Sequence, residues 1–139
     1  VNSTIEQLFE RFSKFEDGLL QAISLVYDDS GERHLEVVIR ARDWQSSGDT
    51  WATIRLRLRR VESFSFQEDS RTTMQVLSNG LHLLRLGERV AVEFGTLVDP
   101  PQSLQEISES PHHAIALEID ASLEELSRPP GAEGAKVNA

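Results

Sequence analysis

Two rhythms of apolar residues run along this chain. Near the start, Ile5, Leu8, Phe9, Phe12 and Phe15 fall at helical spacing. One apolar stripe on a helix over residues 3–15 follows from that spacing. Ser3 with Glu6 three places on has the form of a capping box. The rest of the chain alternates. Ala52, Ile54, Leu56 and Leu58 interleave with Thr53, Arg55, Arg57 and Arg59. A strand turns successive side chains to opposite faces, so Trp51 to Arg60 reads as a half-buried strand with an arginine stripe. Val61 to Gln67 extends it or follows after a bend.

Leu19 to Asp28 reads as the first strand, with Ile23, Leu25 and Tyr27 on its apolar face. Asp28-Asp29-Ser30-Gly31 is a turn cluster, and Leu35 to Arg42 the returning strand of a hairpin. Thr73 to Leu77 is short and ambiguous. Asn79-Gly80 carries the signal of a tight turn. Leu81 to Leu86 and Val90 to Phe94 form a second hairpin around Gly87-Glu88. Ser103 with Glu106 predicts a helical turn or two, and His113 to Asp120 the last strand. Ser122 with Glu125 predicts a short helix that Pro129-Pro130 stops.

These elements give a mainly β (α+β) fold. Six to eight strands form antiparallel sheet, curled or sandwich-like, and an N-terminal amphipathic helix packs on one face. The size suits one globular domain over 1–128, followed by a flexible tail over 129–139.

Charge adds a polarity to this picture. The net charge is −9, yet residues 33–60 hold seven arginines against Glu36, Asp43 and Asp49. An acidic chain is poorly suited to general nucleic-acid or anionic-membrane binding. It has no cysteine, which removes disulfides and thiolate chemistry. No apolar run approaches the roughly 18 residues that span a bilayer, and no signal peptide is visible. The cytoplasm is the expected compartment.

The candidate binding face is Arg40, Arg42, Trp51, Arg55, Arg57 and Arg59. Like charges on adjacent strands repel, so these arginines need carboxylates or a ligand. Glu36, Glu62, Glu93, Glu118 and Asp120, read as outward residues of the same sheet, are the first candidates for pairing. A binding surface for an acidic protein or a small anion is the functional alternative. Trp44 and Trp51 flank the loop between two strands, as core residues or as partners of arginine. His34, His82, His112 and His113 read as exposed turn or strand-edge residues, and no metal or cofactor is expected. Asp28, Asp29 and Glu32 lack the alternating spacing that wraps calcium. There is no Gly-x-Ser-x-Gly elbow and no Gly-rich phosphate loop with lysine, so no catalytic residue is assigned.

Several short motifs resemble families of small bacterial proteins, some of them immunity proteins of polymorphic toxin systems. They are Phe15-x-Asp17 after a short helix, and Trp51 opening a strand that ends in Val61-x-x-Phe64. Val76-Leu77-Ser78-x-Gly80 follows, then Val92-x-Phe94-Gly95 before a last strand begun by Ser110. Where those proteins often carry Phe-His-Asp, this chain has Phe15-Glu16-Asp17. The resemblance implies a non-enzymatic module that binds another protein and carries over no functional residue. A small-anion or ligand-binding protein is one alternative. A homodimer joined through an exposed strand edge is another.

Overall fold

A computed structural model describes residues 4–46 and 49–127 of the chain. The tail expected over 129–139 lies outside the described residues, as does Ser3. The chain forms a mixed α+β fold: a curled, half-barrel sheet of seven antiparallel strands, with an N-terminal helix packed against it. In chain order the elements are α1 (Ile5–Arg11), β1 (Gly18–Tyr27), β2 (Arg33–Arg42), β3 (Trp51–Phe66), β4 (Val76–Leu77), β5 (His82–Leu86), β6 (Arg89–Glu93), α2 (Leu104–Glu109) and β7 (His112–Ser127). Across the sheet the order is β4-β1-β2-β3-β7-β6-β5.

The period-2 pattern fixes which face is core. Leu35, Val37, Ile39 and Ala41 of β2 and Ala52, Ile54, Leu56 and Leu58 of β3 are all essentially unexposed on the concave side. Ile5, Leu8, Phe12 and Phe15 fill that concavity and are likewise buried. Each such side chain contributes about 1.5–3 kcal/mol relative to exposure. The opposite face of β6 and β7 is covered separately, where Ile107 of α2 packs on Ala91 and Ile115.

The helix starts one residue later than its sequence suggested. Thr4 is the N-cap, with Gln7 completing the reciprocal box. It also ends earlier, at Arg11. Ser13, Lys14 and Phe15 then take φ of 50°, 55° and 60°. A continuing right-handed turn would leave Phe15 on the helix. The left-handed turn instead brings it beside Phe12 and Phe9 in the core. Left-handed backbone costs roughly 1–2 kcal/mol per residue. Burial of Phe15 and two long-range hydrogen bonds offset that cost: Leu81 N–H donates to Lys14 O at 2.7 Å and Asp17 N–H to Leu77 O at 2.8 Å.

Asn79-Gly80 is a turn, but not a hairpin. It links β4 and β5, which lie at opposite ends of the strand order. The left-handed turn bonds to both sides of this connection, so it ties the two ends of the curl together. Gly80 is required there: its φ is +70°, and a Cβ would stand 2.5 Å from Lys14 O. Three of the short motifs singled out in the sequence meet at this place, those of Phe15-x-Asp17, Val76 to Gly80 and Val92 to Gly95. Phe15, Asp17, Leu77, Gly80 and Gly95 are neighbours in one junction, and Asn79 Nδ2 donates to Gly95 O at 2.8 Å.

β3 is a single strand of 16 residues, bent at Arg60, whose φ is +53°. Its first half pairs with β2 and its second half only with β7. The short helix expected from Ser122 is absent; residues 121–127 continue β7. Pairing with Trp51 to Ser122's opposite, Arg55, supplies strand hydrogen bonds along the whole stretch, and this overrides a local capping signal. No described helix is long and apolar enough to cross a membrane.

Candidate functional site

The arginine stripe lies on the convex face and is met by carboxylates. Arg55 sits between Glu36, at 3.0 Å, and Glu124. Arg57 Nε is 3.3 Å from Glu36, Arg59 Nε 3.0 Å from Asp120, and Arg60 Nη2 2.7 Å from Glu118. The strand register causes this. Arg57 stands opposite Glu36 on one side and Asp120 on the other, and Arg59 opposite Glu118. The hydrogen bond that Arg55 donates to Glu124, and the charges of Glu124 and Glu36 beside it, raise the pKa of Arg55, locking its charge. Glu62 also pairs, but with Arg89.

The other predicted residues do not join this row. Arg40 is buried. Arg42 lies over the Trp44 ring at 4.5 Å, 3.8 Å from Asp49. Trp51 is half-buried, and its Nε1–H donates to Asp49 at 3.0 Å. Neither tryptophan is a core residue. A cleft of about 510 Å³ lies beside β7, and Arg57, Arg59 and Arg85 line it with Glu6 and Asp120. Arg85 is engaged by Glu6 at 2.8 Å. A backbone hydrogen bond first, and Arg85 second, lower the pKa of Glu6 despite opposition from burial.

A polar cluster that sequence reasoning missed is buried behind β6. Glu93, read as outward, has no exposed surface. Its Oε1 accepts from Gly95 N–H at 3.1 Å and Leu97 N–H at 3.3 Å; its Oε2 accepts from Thr96 N–H at 2.9 Å and Ser110 Oγ–H at 2.8 Å. Three of the four histidines, expected at the surface, are buried around it. His82 Nε2 lies 2.8 Å from Leu97 O, His112 bridges Thr96 Oγ1 and Gln67 O at 2.7 Å each, and His113 Nδ1 lies 2.7 Å from Ser110 O. Serine, histidine and a carboxylate meet here, but not as a nucleophile relay. Ser110 Oγ donates to Glu93, and the nitrogens of His112 face other partners. The cluster pins the 94–97 loop. The sequence signal for it is Glu93 directly before Phe94-Gly95, where a turn exposes successive N–H groups to one carboxylate.

Asp28, Glu32 and His34 place ligand atoms within 4.8 Å of one another. Asp28 is already spent as a turn anchor, accepting from Ser30 N–H and Oγ–H and from Glu32 N–H. His34 Nδ1 accepts from Arg60 N–H at 3.3 Å, so Nε2 carries the proton and donates to Asp28 at 2.9 Å. The hydrogen bond from Ser30 above all, with that from His34 second, holds Asp28 far below the usual carboxylate range.

The last feature is an unpaired edge. β4 pairs with β1 only at Gly18 and Leu19. From residue 21 to Tyr27 no described strand adjoins β1 on that side. Leu25 and Tyr27, expected on the apolar face of this strand, are 39% and 64% exposed. Among the described residues no strand lies beyond them to cover that face. No family model, curated protein or solved structure matches the chain.

Proposed function

We propose that this chain is a non-enzymatic protein-interaction module of the cytoplasm, of the toxin-immunity kind that its short motifs resemble, and that its partner is a basic protein. The observation that carries the reading is the neutralisation of the arginine stripe by Glu36, Glu124, Asp120 and Glu118 on its own sheet. With those arginines engaged, the excess charge of −9 rests on the remaining surface. Residues 15–32 carry five carboxylates and neither lysine nor arginine. Complementary charge raises association rate and selects partners. Purification of the tagged full chain from its native host is expected to bring down one basic protein in stoichiometric amount. Recovery of the chain alone, after cross-linking in the cell, would contradict the reading.

A second reading is favoured by the cleft lined by Arg57, Arg59 and Arg85. There a small anion would compete with Asp120 and Glu6 for the guanidinium groups. Thermal shift with phosphate, nucleotides and dicarboxylates tests it. A shift that Arg59→Ala abolishes would favour this reading over the first.

A further inference from the structure

We propose that the open edge of β1, residues 21–27, receives an extended segment of the basic partner as an added strand, with apolar residues in the segment's middle and lysine or arginine at its ends. This inference rests on the protein-interaction reading and names the surface and the segment. Backbone geometry comes first. Asp28 N–H donates to Glu32 O, and hydrogen-bonded pairs alternate along an antiparallel ladder. Val26 with His34 and Ser24 with Glu36 are therefore the next pairs bonded to β2. Ile23, Leu25 and Tyr27 turn their N–H and C=O groups to the open side. At the other end of β1, Leu20 N–H already donates to Gln75 O at 2.7 Å, so the edge accepts a strand where one is present.

The side chains suit an occupant as well. Edge strands in soluble proteins are commonly guarded by charge, proline or cover. From Gly18 to Tyr27 β1 has no charged residue and no proline, and its bulge, between Leu20 and Ala22, lies at the start of the open stretch and leaves Ile23 to Tyr27 regular. Of the seven exposed large apolar residues among the described residues, Leu25, Val26, Tyr27 and Val76 lie on β1 and β4. A cleft of about 540 Å³ runs beside the first half of the edge, between Leu20–Ile23 and the segment holding Phe66, Glu68 and Met74. An incoming strand needs a lane about 4.8 Å wide.

Charge decides between occupants. Glu16, Asp17 and Glu68 stand near one end of the edge, and Asp28, Asp29 and Glu32 at the other. A second copy paired antiparallel about Ser24 would bring the Asp28-Asp29 turn of each chain to the Leu20 end of the other, where Glu68 stands, between molecules of charge −9. Like charges placed so are destabilising. A segment with basic ends is complementary at both. Strand addition of this kind takes affinity from the backbone and selectivity from the side chains.

The probe is a short capped peptide of alternating valine and threonine with a lysine–arginine pair at each end, titrated into the isotope-labelled full chain and followed by amide NMR. The expected result is slowed exchange at Ile23, Leu25 and Tyr27, and binding about tenfold weaker when the basic residues become glutamate. Leu25→Pro deletes an outward N–H and is expected to abolish binding. Val26→Lys places a charge on the edge without touching the backbone, and is expected to weaken binding even if the proline variant does not fold. The proposal is overturned if the peptide leaves those amides unchanged, or if either variant, when folded, binds like the parent. Protection that grows with protein concentration alone would also overturn it, in favour of a second copy. A stoichiometric basic partner that still binds Leu25→Pro would sink the edge and leave the interaction reading standing; no partner at all would sink that reading.

Discussion

The sheet has two outer reaches, and the chain treats them differently. At one, β5 is five residues long. Arg85 stands on it, held by Glu6, and the loop after β6 lies against it through His82 and Leu97. That loop is itself pinned by the fully buried Glu93. At the other reach, β1 runs ten residues with no charge, and β4 covers only its first two. Even the half of β3 that leaves β2 is guarded, since Arg33 Nη2 donates to Val61 O and Glu62 O at 3.2 and 2.8 Å. Among the described residues, buried polar groups and arginines thus close the other edges, while β1 from Ile23 to Tyr27 is bare. Bare backbone on a sheet edge is a hazard unless something occupies it.

The contrast can be broken most severely at Glu93. Glu93→Ala leaves three partly buried backbone N–H groups and the buried Ser110 hydroxyl without their acceptor. A loss of about 4 kcal/mol is expected in denaturant unfolding, because buried unsatisfied donors cost about 1–3 kcal/mol each and relax in part. Ser24→Pro comes next. Its N–H faces β2, so removal of that ladder bond is expected to cost about 3 kcal/mol, whereas Leu25→Pro, one residue on, is expected to cost far less. Equal losses at the two positions would show that the assignment of the open side is wrong. Arg85→Ala removes an exposed ion pair and is expected to change stability by less than about 1 kcal/mol.

The hairpin end of β1 gives the smallest effect and a sign. The folded pKa of Asp28 lies below its unfolded value. Its stabilisation is therefore fully present above the ordinary aspartate range, near pH 4, and is lost as pH falls through the depressed folded value. Melting temperature measured from pH 5 down to 2 is expected to fall less steeply in Asp28→Asn than in the parent.

The strands and most turns were legible in the sequence because alternation is enforced wherever one face is buried. The ion pairs of Arg55 and Arg57 with Glu36 and of Arg59 with Asp120 follow the expected interleaving of charge, whereas Glu118 is taken by Arg60, which was not among the expected arginines. Three things were hidden, each set by contacts distant in sequence. The left-handed turn at Ser13 to Phe15 depends on Leu77 and Leu81. Burial of Glu93 depends on Ser110 and the 95–97 backbone. Exposure of Leu25 and Tyr27 depends on β4 being two residues long, and no local pattern carries that.

Hydrogen–deuterium exchange of the free chain at low concentration, resolved by residue along β1, tests the open edge most directly. Slow exchange at Ser24 and Val26 alternating with fast exchange at Ile23, Leu25 and Tyr27 is the predicted result. Uniform protection from Ile23 to Tyr27 would contradict it, because the edge would then already be covered.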